Sequence, residues 1–353
     1  MRRTLVYILI VLLIGCSRST DEIHEVTLPI REVPIQNAEI IASNLVVPWD
    51  IVKTGEEYFV SERGGTIVHI DRKGNKTNMS LELSKDVAEY GEGGLLGFIL
   101  HPDYQKNALA YIYYTYQDNG NINNQIVKVK KEGSTWIEES VLLSDLPGAR
   151  IHNGGRIEIG PDQKLYASVG DAANPDSAQQ LNSLAGKIIR MNLDGTIPEN
   201  NPFENSYIYS FGHRNPQGFA WTEAGEMYSA EHGAEGHDEI NRILPGQNYG
   251  WPLVQGDEQR EGMLVPIFHS GEDTWAPSGL AYQEGRLLVA GLAGQQIRVF
   301  DLRENESFPL YEDIGRIRDL LVVGKDLYII TNNTDGRGVP DEDDDHLLKV
   351  KLE

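Results

Sequence analysis

One unit recurs six times along the chain: a short apolar strand, a turn bearing Gly or Asp, and a second strand rich in Tyr, Leu and Val. Its first strands carry Trp49-Asp50-Ile51-Val52, Leu95-Leu96-Gly97-Phe98, Gly155-Arg156-Ile157, Gly218-Phe219-Ala220-Trp221, Gly279-Leu280-Ala281-Tyr282 and Arg318-Asp319-Leu320-Leu321. Copies start roughly 40 to 62 residues apart. Outer-strand patterns such as 66–71, 187–191 and 296–300 fall between them, which makes four strands per copy. Antiparallel units of four strands at this period predict an all-β chain folded as a six-bladed β-propeller over residues 40–353. A β-sandwich with coincidental internal similarity is the alternative. Residues 347–350 read as a closing strand, and the acidic run Asp341 to Asp345 before them as a solvated loop, with a calcium role as the other reading. No amphipathic helix of four turns is found beyond residue 40. First-strand ends from different blades converge on a central channel, so function is expected there.

The N-terminus carries a different signal. Met1-Arg2-Arg3 precedes an apolar run over 4–14 that is too short to span a bilayer. Leu13-Ile14-Gly15-Cys16 resembles a bacterial lipoprotein lipobox. Residues 1–15 are therefore expected to be a signal peptide, Cys16 a lipid-anchored first residue, and 16–39 a tether and lead-in strand. The protein would be extracytoplasmic and would touch a membrane only through that anchor. Cys16 is the only cysteine, which excludes an internal disulfide. A net charge of −22 makes nucleic acid and anionic membrane surfaces poor partners.

Between Phe211 and Trp251 the chain is loop-rich, polar and Gly-bearing, with one clear hairpin near 218–230. A long polar segment inside a compact domain needs a support other than a core, such as an ion or a ligand. Asp238, Glu239 and Tyr249 lie in it, and carboxylates with carbonyls of a Gly-rich turn suit calcium. Earlier in the chain His152 precedes the third first strand. Simple register about the turn at Gly160-Pro161-Asp162-Gln163 sets it opposite Asp171. A carboxylate beside an imidazole makes a general base for a hydroxyl proton, and a structural histidine is the alternative. Arg214 with Asn215, and Arg316 with Arg318, open the fourth and sixth copies. Arginines at three such positions in an acidic chain point to an anionic ligand in the channel, or to ion pairs with neighbouring acids.

In combination, GGLLGFILHPDY at 93–104, HNGGRIEIGPDQKLYASVGD at 152–171, GHRNPQG at 212–218, EHGAEGHDEIN at 231–241, NYGWP at 248–252, APSG at 276–279 and RIRD at 316–319 resemble the soluble sugar dehydrogenases that depend on pyrroloquinoline quinone (PQQ). The likeness runs from about residue 45 to the C-terminus, and that family is a six-bladed propeller. The resemblance implies oxidation of the anomeric hydroxyl of aldose sugars to lactones, with hydride passing to PQQ and electrons then to an external acceptor. By it, His152 is the base, Asp171 its support, and Arg214 lies at the reactive carbonyl. Glu92, Asn215, Thr274, Arg316 and Arg318 surround the cofactor. The carbonyl oxygens of Gly233 and Ala234 hold the calcium that polarises PQQ, and Glu239 and Tyr249, with Asp238 beside them, match a second, structural calcium. Three positions depart from the family: Glu92 replaces a glutamine, Ala293 falls near a lysine, and Ile151 replaces an acid. Losing a cation and gaining an anion is expected to weaken binding of a tricarboxylate. A calcium-dependent lactone hydrolase and a non-catalytic binding propeller are the competing functional readings.

Overall fold

A computed structural model describes residues 38–312 and 314–352. The signal peptide, Cys16 and nearly all of the tether lie outside the described residues. Within them the chain is almost entirely β. The helices are one turn at Tyr104–Asn107 and a 3-10 segment at Pro175–Gln179.

All six expected hairpins form. Their first strands are Pro48–Thr54, Leu95–Leu100, Ile157–Ile159, Pro216–Trp221, Pro277–Gln283 and Ile317–Val323. Five of the six begin with four or more consecutive buried residues, polar ones included, so both of their faces are covered there. The turns follow local chemistry. Between Gln283 and Arg286, Glu284 and Gly285 both adopt left-handed φ, 49° and 91°, the pair that a tight two-residue hairpin of matching twist requires.

Four sheets have four strands each, and a fifth has eight. The eight-stranded sheet is two antiparallel quartets joined edge to edge. Lys76–Glu82 runs parallel to Thr135–Pro147 through Ser80↔Thr135, Leu81↔Trp136 and Glu82↔Ile137. The cause lies in the core beneath. Trp136, fully buried, packs at 5.7 Å from Phe59 of the first quartet and 5.2 Å from Phe98 of the second. One aromatic cluster thus serves both quartets, and their outer edges pair over it.

The hairpins follow one another around a circle. The 48–54 strand touches 95–100, which touches 157–159, whose partner 165–169 touches 216–221. The 216–221 strand packs on 277–283, that on 317–323, and that on 48–54 again. Glu39–Ala42 closes the last sheet by pairing with Leu347–Lys351, so the two ends of the described chain share one sheet. The tyrosines of 111–116 are core, as expected. The acidic run differs from its reading as solvated loop at one position. Asp345 is fully buried and accepts hydrogen bonds from Asn333 N, Thr331 Oγ1 and Thr334 N, because it folds the 331–334 turn around its carboxylate.

Candidate functional site

His152 sits where the chain bends into the third first strand, in left-handed φ of 58°. A Cβ on Gly170 would lie 1.9 Å from the His152 carbonyl oxygen, so only bare backbone admits this approach. The ladder runs Ile157↔Ala167 to Ile159↔Leu165, one residue out of the simple register, which puts 152 opposite 172. The side chains meet nonetheless: His152 Nδ1 lies 2.8 Å from Asp171 Oδ1. Asp171 is wholly buried and also accepts from Ala173 N at 2.9 Å and from the indole N–H of Trp251 at 2.9 Å. An acceptor on Nδ1 assigns the ring proton there and leaves the Nε2 lone pair free to take a proton.

Glu92 joins this pair from the neighbouring quartet. Its Oε2 accepts the His152 backbone N–H at 3.0 Å, and its Oε1 meets Arg337 Nη2 at 2.9 Å. Burial alone would raise its carboxyl, but the His152 N–H and Arg337 together hold it below the usual range. Ala293 is exposed. Arg337 was not found by sequence reasoning. It lies in a turn without periodic signal, 245 residues from its partner.

Arg214 and Asn215 are set by the buried Glu231, which accepts both of their backbone N–H groups and pairs with His213 Nδ1 at 2.8 Å. Asn215 Oδ1 accepts from Gly154 N at 3.0 Å, and the Arg214 carbonyl accepts from Asp171 N at 2.8 Å. These bonds tie the arginine turn to the base. The Arg214 guanidinium lies over Trp251 at 5.5 Å, donates to the His232 carbonyl at 3.2 Å, and leaves its Nε buried without a partner. Burial, against nearby acids including Asp171 and Glu231, pulls its pKa below the ordinary arginine value.

The other two arginines differ in pairing. Arg316 meets Asp335 at 2.8 Å while its Nε is orphaned. Arg318 has no carboxylate partner among the described residues. It donates to Gln217 Oε1 at 2.8 Å and Ser278 Oγ at 3.2 Å and lies over Trp49 at 5.7 Å. With the Asn332 amide oxygen turned toward it, that oxygen accepts from Nε at 3.3 Å and Nη2 at 3.2 Å. Burial, eased by Asp335 and reinforced by repulsion from Arg316, Arg63 and Arg156, pushes Arg318 down to about 9. His232 feels Asp238, Glu92, Arg318 and Arg214 at once. Burial dominates, holding its ring near a pKa of about 4, hence neutral, with a buried and unpartnered Nε2. Nothing local in the sequence marks the neighbours of His232, which come from distant parts of the chain.

Asp238 organises the loop beside it. Its carboxylate accepts from Gly233 N, Thr274 Oγ1, Trp275 N and Ala276 N at 2.6 to 3.1 Å. Thr274 is thereby turned toward the loop. The carbonyls of Gly233 and Ala234 accept no hydrogen bond among the described residues. Glu239 accepts from Gly256 N at 3.1 Å and Asn241 Nδ2 at 3.0 Å, and burial, then Glu231, pushes it up to about 7. The Tyr249 hydroxyl donates to Arg242 O at 2.6 Å and accepts from Leu244 N at 2.8 Å. Among the described residues no group of three or more His, Cys, Asp or Glu side chains is placed to hold a metal. A cation here would need main-chain oxygens.

Quinoprotein glucose dehydrogenase B of Acinetobacter calcoaceticus is 35% identical over 257 residues, 64% of this chain. The match spans 54% of that protein, about half its length. Aldose sugar dehydrogenase YliI of Escherichia coli is 28% identical over 85% of this chain and 91% of its own. The PQQ-bound form of aldose sugar dehydrogenase from Streptomyces coelicolor superposes with a TM-score of 0.83 at 36% identity, covering 89% of this chain and 97% of that one. With residues 45–343 matching the family described as glucose/sorbosone dehydrogenase, the chain belongs to that family.

Proposed function

We propose that the protein oxidises the anomeric hydroxyl of aldose sugars to the lactone, with PQQ bound among Arg214, Asn215, Thr274, Arg316 and Arg318. The observation that carries this reading is the hydrogen-bonded His152–Asp171 pair, joined through the Arg214 carbonyl to one of three arginines with unmet donors or no carboxylate partner. Arg318 has no carboxylate partner among the described residues, and Arg214 and Arg316 each keep an orphaned buried Nε. A planar polyanion fits such a donor set. Arg337 offsets the acid at Glu92, which reduces the cost expected from the departures at 92 and 293.

The chemistry PQQ supplies when bound is acceptance of a hydride from the anomeric carbon, its electrons passing on to an external acceptor. His152 Nε2 takes the hydroxyl proton, and the carbonyl of the lactone forms as that O–H bond breaks. Asp171 keeps the proton on Nδ1 and steadies the imidazolium. Arg214 brings positive charge to the side where negative charge develops. Neutral His232, close enough to Arg214 and Arg318 to feel both, adds no charge to the site. The unpartnered carbonyls of Gly233 and Ala234 would hold calcium near the cofactor. Glu239 and Tyr249, with Asp238 beside them, would border a second calcium, where a cation would relieve the crowding of Glu239 and Glu231.

The same proposal counts the eight-stranded sheet as two blades, giving six. Residues 1–15 would be a signal peptide and Cys16 a lipid anchor, placing the enzyme outside the cytoplasm. Among the described residues no helix is long and apolar enough to cross a membrane.

Titration of purified apo-protein with PQQ and calcium tests the reading. Expected are stoichiometric PQQ binding, followed by absorbance and thermal shift, and dye-linked oxidation of aldoses. His152→Ala should keep PQQ binding and lose about 100-fold or more in kcat. Stoichiometric binding with no turnover across an aldose panel would overturn it in favour of a binding propeller. Lactone hydrolysis without PQQ would favour the hydrolase.

A further inference from the structure

Lys187 is fully buried at the start of the strand Lys187–Met191, opposite Val169 of the neighbouring strand. Its ammonium takes main-chain partners: the carbonyls of Ser177 at 2.9 Å, Ala178 at 3.0 Å and Ala185 at 2.6 Å. Three donors meet three carbonyls, so the group is satisfied and offers nothing to a ligand. Burying an ammonium is costly unless its donors are bonded, and an apolar side chain of similar length would fill the position without that cost. What the lysine adds is a hold on three carbonyls of one irregular segment.

That segment, 172–185, has little else to fix it. Its regular structure is the 3-10 turn Pro175–Gln179, and residues 173–176 are exposed. Its buried apolar side chains are Ala178 and Ala185, with Leu184 partly covered. Yet the segment touches the proposed base from several sides. Ala172 N donates to the His152 carbonyl at 3.2 Å, and Ala173 N to Asp171 Oδ1 at 2.9 Å. Gln179 Nε2 donates to Trp251 O at 2.7 Å, and the Trp251 indole donates in turn to Asp171 Oδ2 at 2.9 Å. The Ala178 carbonyl that Lys187 holds also accepts from Gly212 N at 3.0 Å, in the turn that carries Arg214. Asp171 is thus gripped by groups whose places Lys187 sets.

We propose that Lys187 is a positioning residue for the base. By holding the carbonyls of Ser177, Ala178 and Ala185 it fixes the 172–185 segment and Trp251, and through them the Asp171 carboxylate that orients the His152 imidazole. Its effect on turnover rests on the dehydrogenase reading, while its effect on the His152–Asp171 hydrogen bond can be measured in apo-protein without PQQ.

The test uses Lys187→Met, which keeps length and removes the donors. A histidine N–H bonded to a carboxylate gives a far-downfield proton signal in NMR. The parent should show one from His152–Asp171 and one from His213–Glu231, and His152→Ala identifies the first by its loss. In Lys187→Met the first signal should move upfield or broaden away, while the second persists and reports an intact fold. In the PQQ- and calcium-loaded enzyme kcat should fall about tenfold or more, with the sugar KM and the PQQ dissociation constant within about twofold. Propylammonium, which replaces the atoms removed in Lys187→Ala, should restore part of kcat, and propanol should not. An unmoved first signal with unchanged kcat would overturn the proposal, as would equal losses in kcat and PQQ affinity. If Lys187→Met does not fold, Gln179→Leu cuts the tie to Trp251 without touching the buried charge and should move the same signal; no movement there also overturns the proposal. If the signal depends on Lys187 but the parent oxidises no sugar, the positioning role stands and the dehydrogenase reading falls. If the parent oxidises aldoses and Lys187→Met keeps both signal and kcat, the reverse holds.

Discussion

Trp251 shows how much one side chain does here. Its indole N–H donates to Asp171 at 2.9 Å while its ring lies under the Arg214 guanidinium at 5.5 Å. The proposed base and an arginine of the proposed cofactor site thus share a support. Trp251→Phe separates the two contacts, because it deletes the donor and keeps a ring. A hydrogen bond to a charged group is worth about 1.5–3 kcal/mol, so kcat is expected to fall about tenfold or more. The PQQ dissociation constant should stay within about twofold. Trp251→Leu should weaken both. Steady-state kinetics and PQQ titration on the two variants check this, and a parallel loss of PQQ binding in the Phe variant would refute the division.

At the scale of the element, every first strand of the circle carries a matching position: Asp50, Gly97, Arg156, Gly218, Gly279 and Asp319. Strand register is irregular around these positions in most of the hairpins. Arg156 bridges Asp50 at 2.8 Å and Asp319 at 3.1 Å, so one long side chain links the first, third and sixth hairpins. The glycines let neighbouring strands close around them. A Cβ on Gly218 would lie 2.2 Å from the Ser278 carbonyl oxygen, which is backbone and cannot yield cheaply. Gly218→Ala is therefore expected to cost about 1–3 kcal/mol by overpacking, read as a lower urea midpoint with unchanged slope.

For the whole molecule, an acidic chain with a charged interior must ration its protons. Asp50, Asp319 and Glu158 share the single guanidinium of Arg156. Burial, partly offset by Arg156 and reinforced by Asp319, pushes the half-buried Glu158 up to about 7. Its folded pKa lies above the unfolded one, so the folded state binds more protons between about 4.5 and 7. The stability Glu158 contributes is complete below that window and is lost as pH rises through it. Glu158→Gln should flatten the fall in melting temperature over this range relative to the parent. An unchanged slope would show that another group carries it.

Local signals sufficed for the six hairpins and for the His152–Asp171 pair, because strand runs, turn residues and one β-hairpin involve neighbours in sequence. The contact survived even a register one residue different from the simple count, since the side chains reach across it. Other features arise only from closure of the circle. Arg318 reaches Gln217 across 101 residues, Arg156 reaches Asp319 across 163, and Arg337 reaches Glu92 across 245. The joining of two quartets over Trp136 belongs with them. The sequence by itself determined which segments become strands and which residue types stand at their ends. Tertiary structure decided which of those charges find partners and which do not, because pairing depends on distance and burial that no stretch of chain specifies alone.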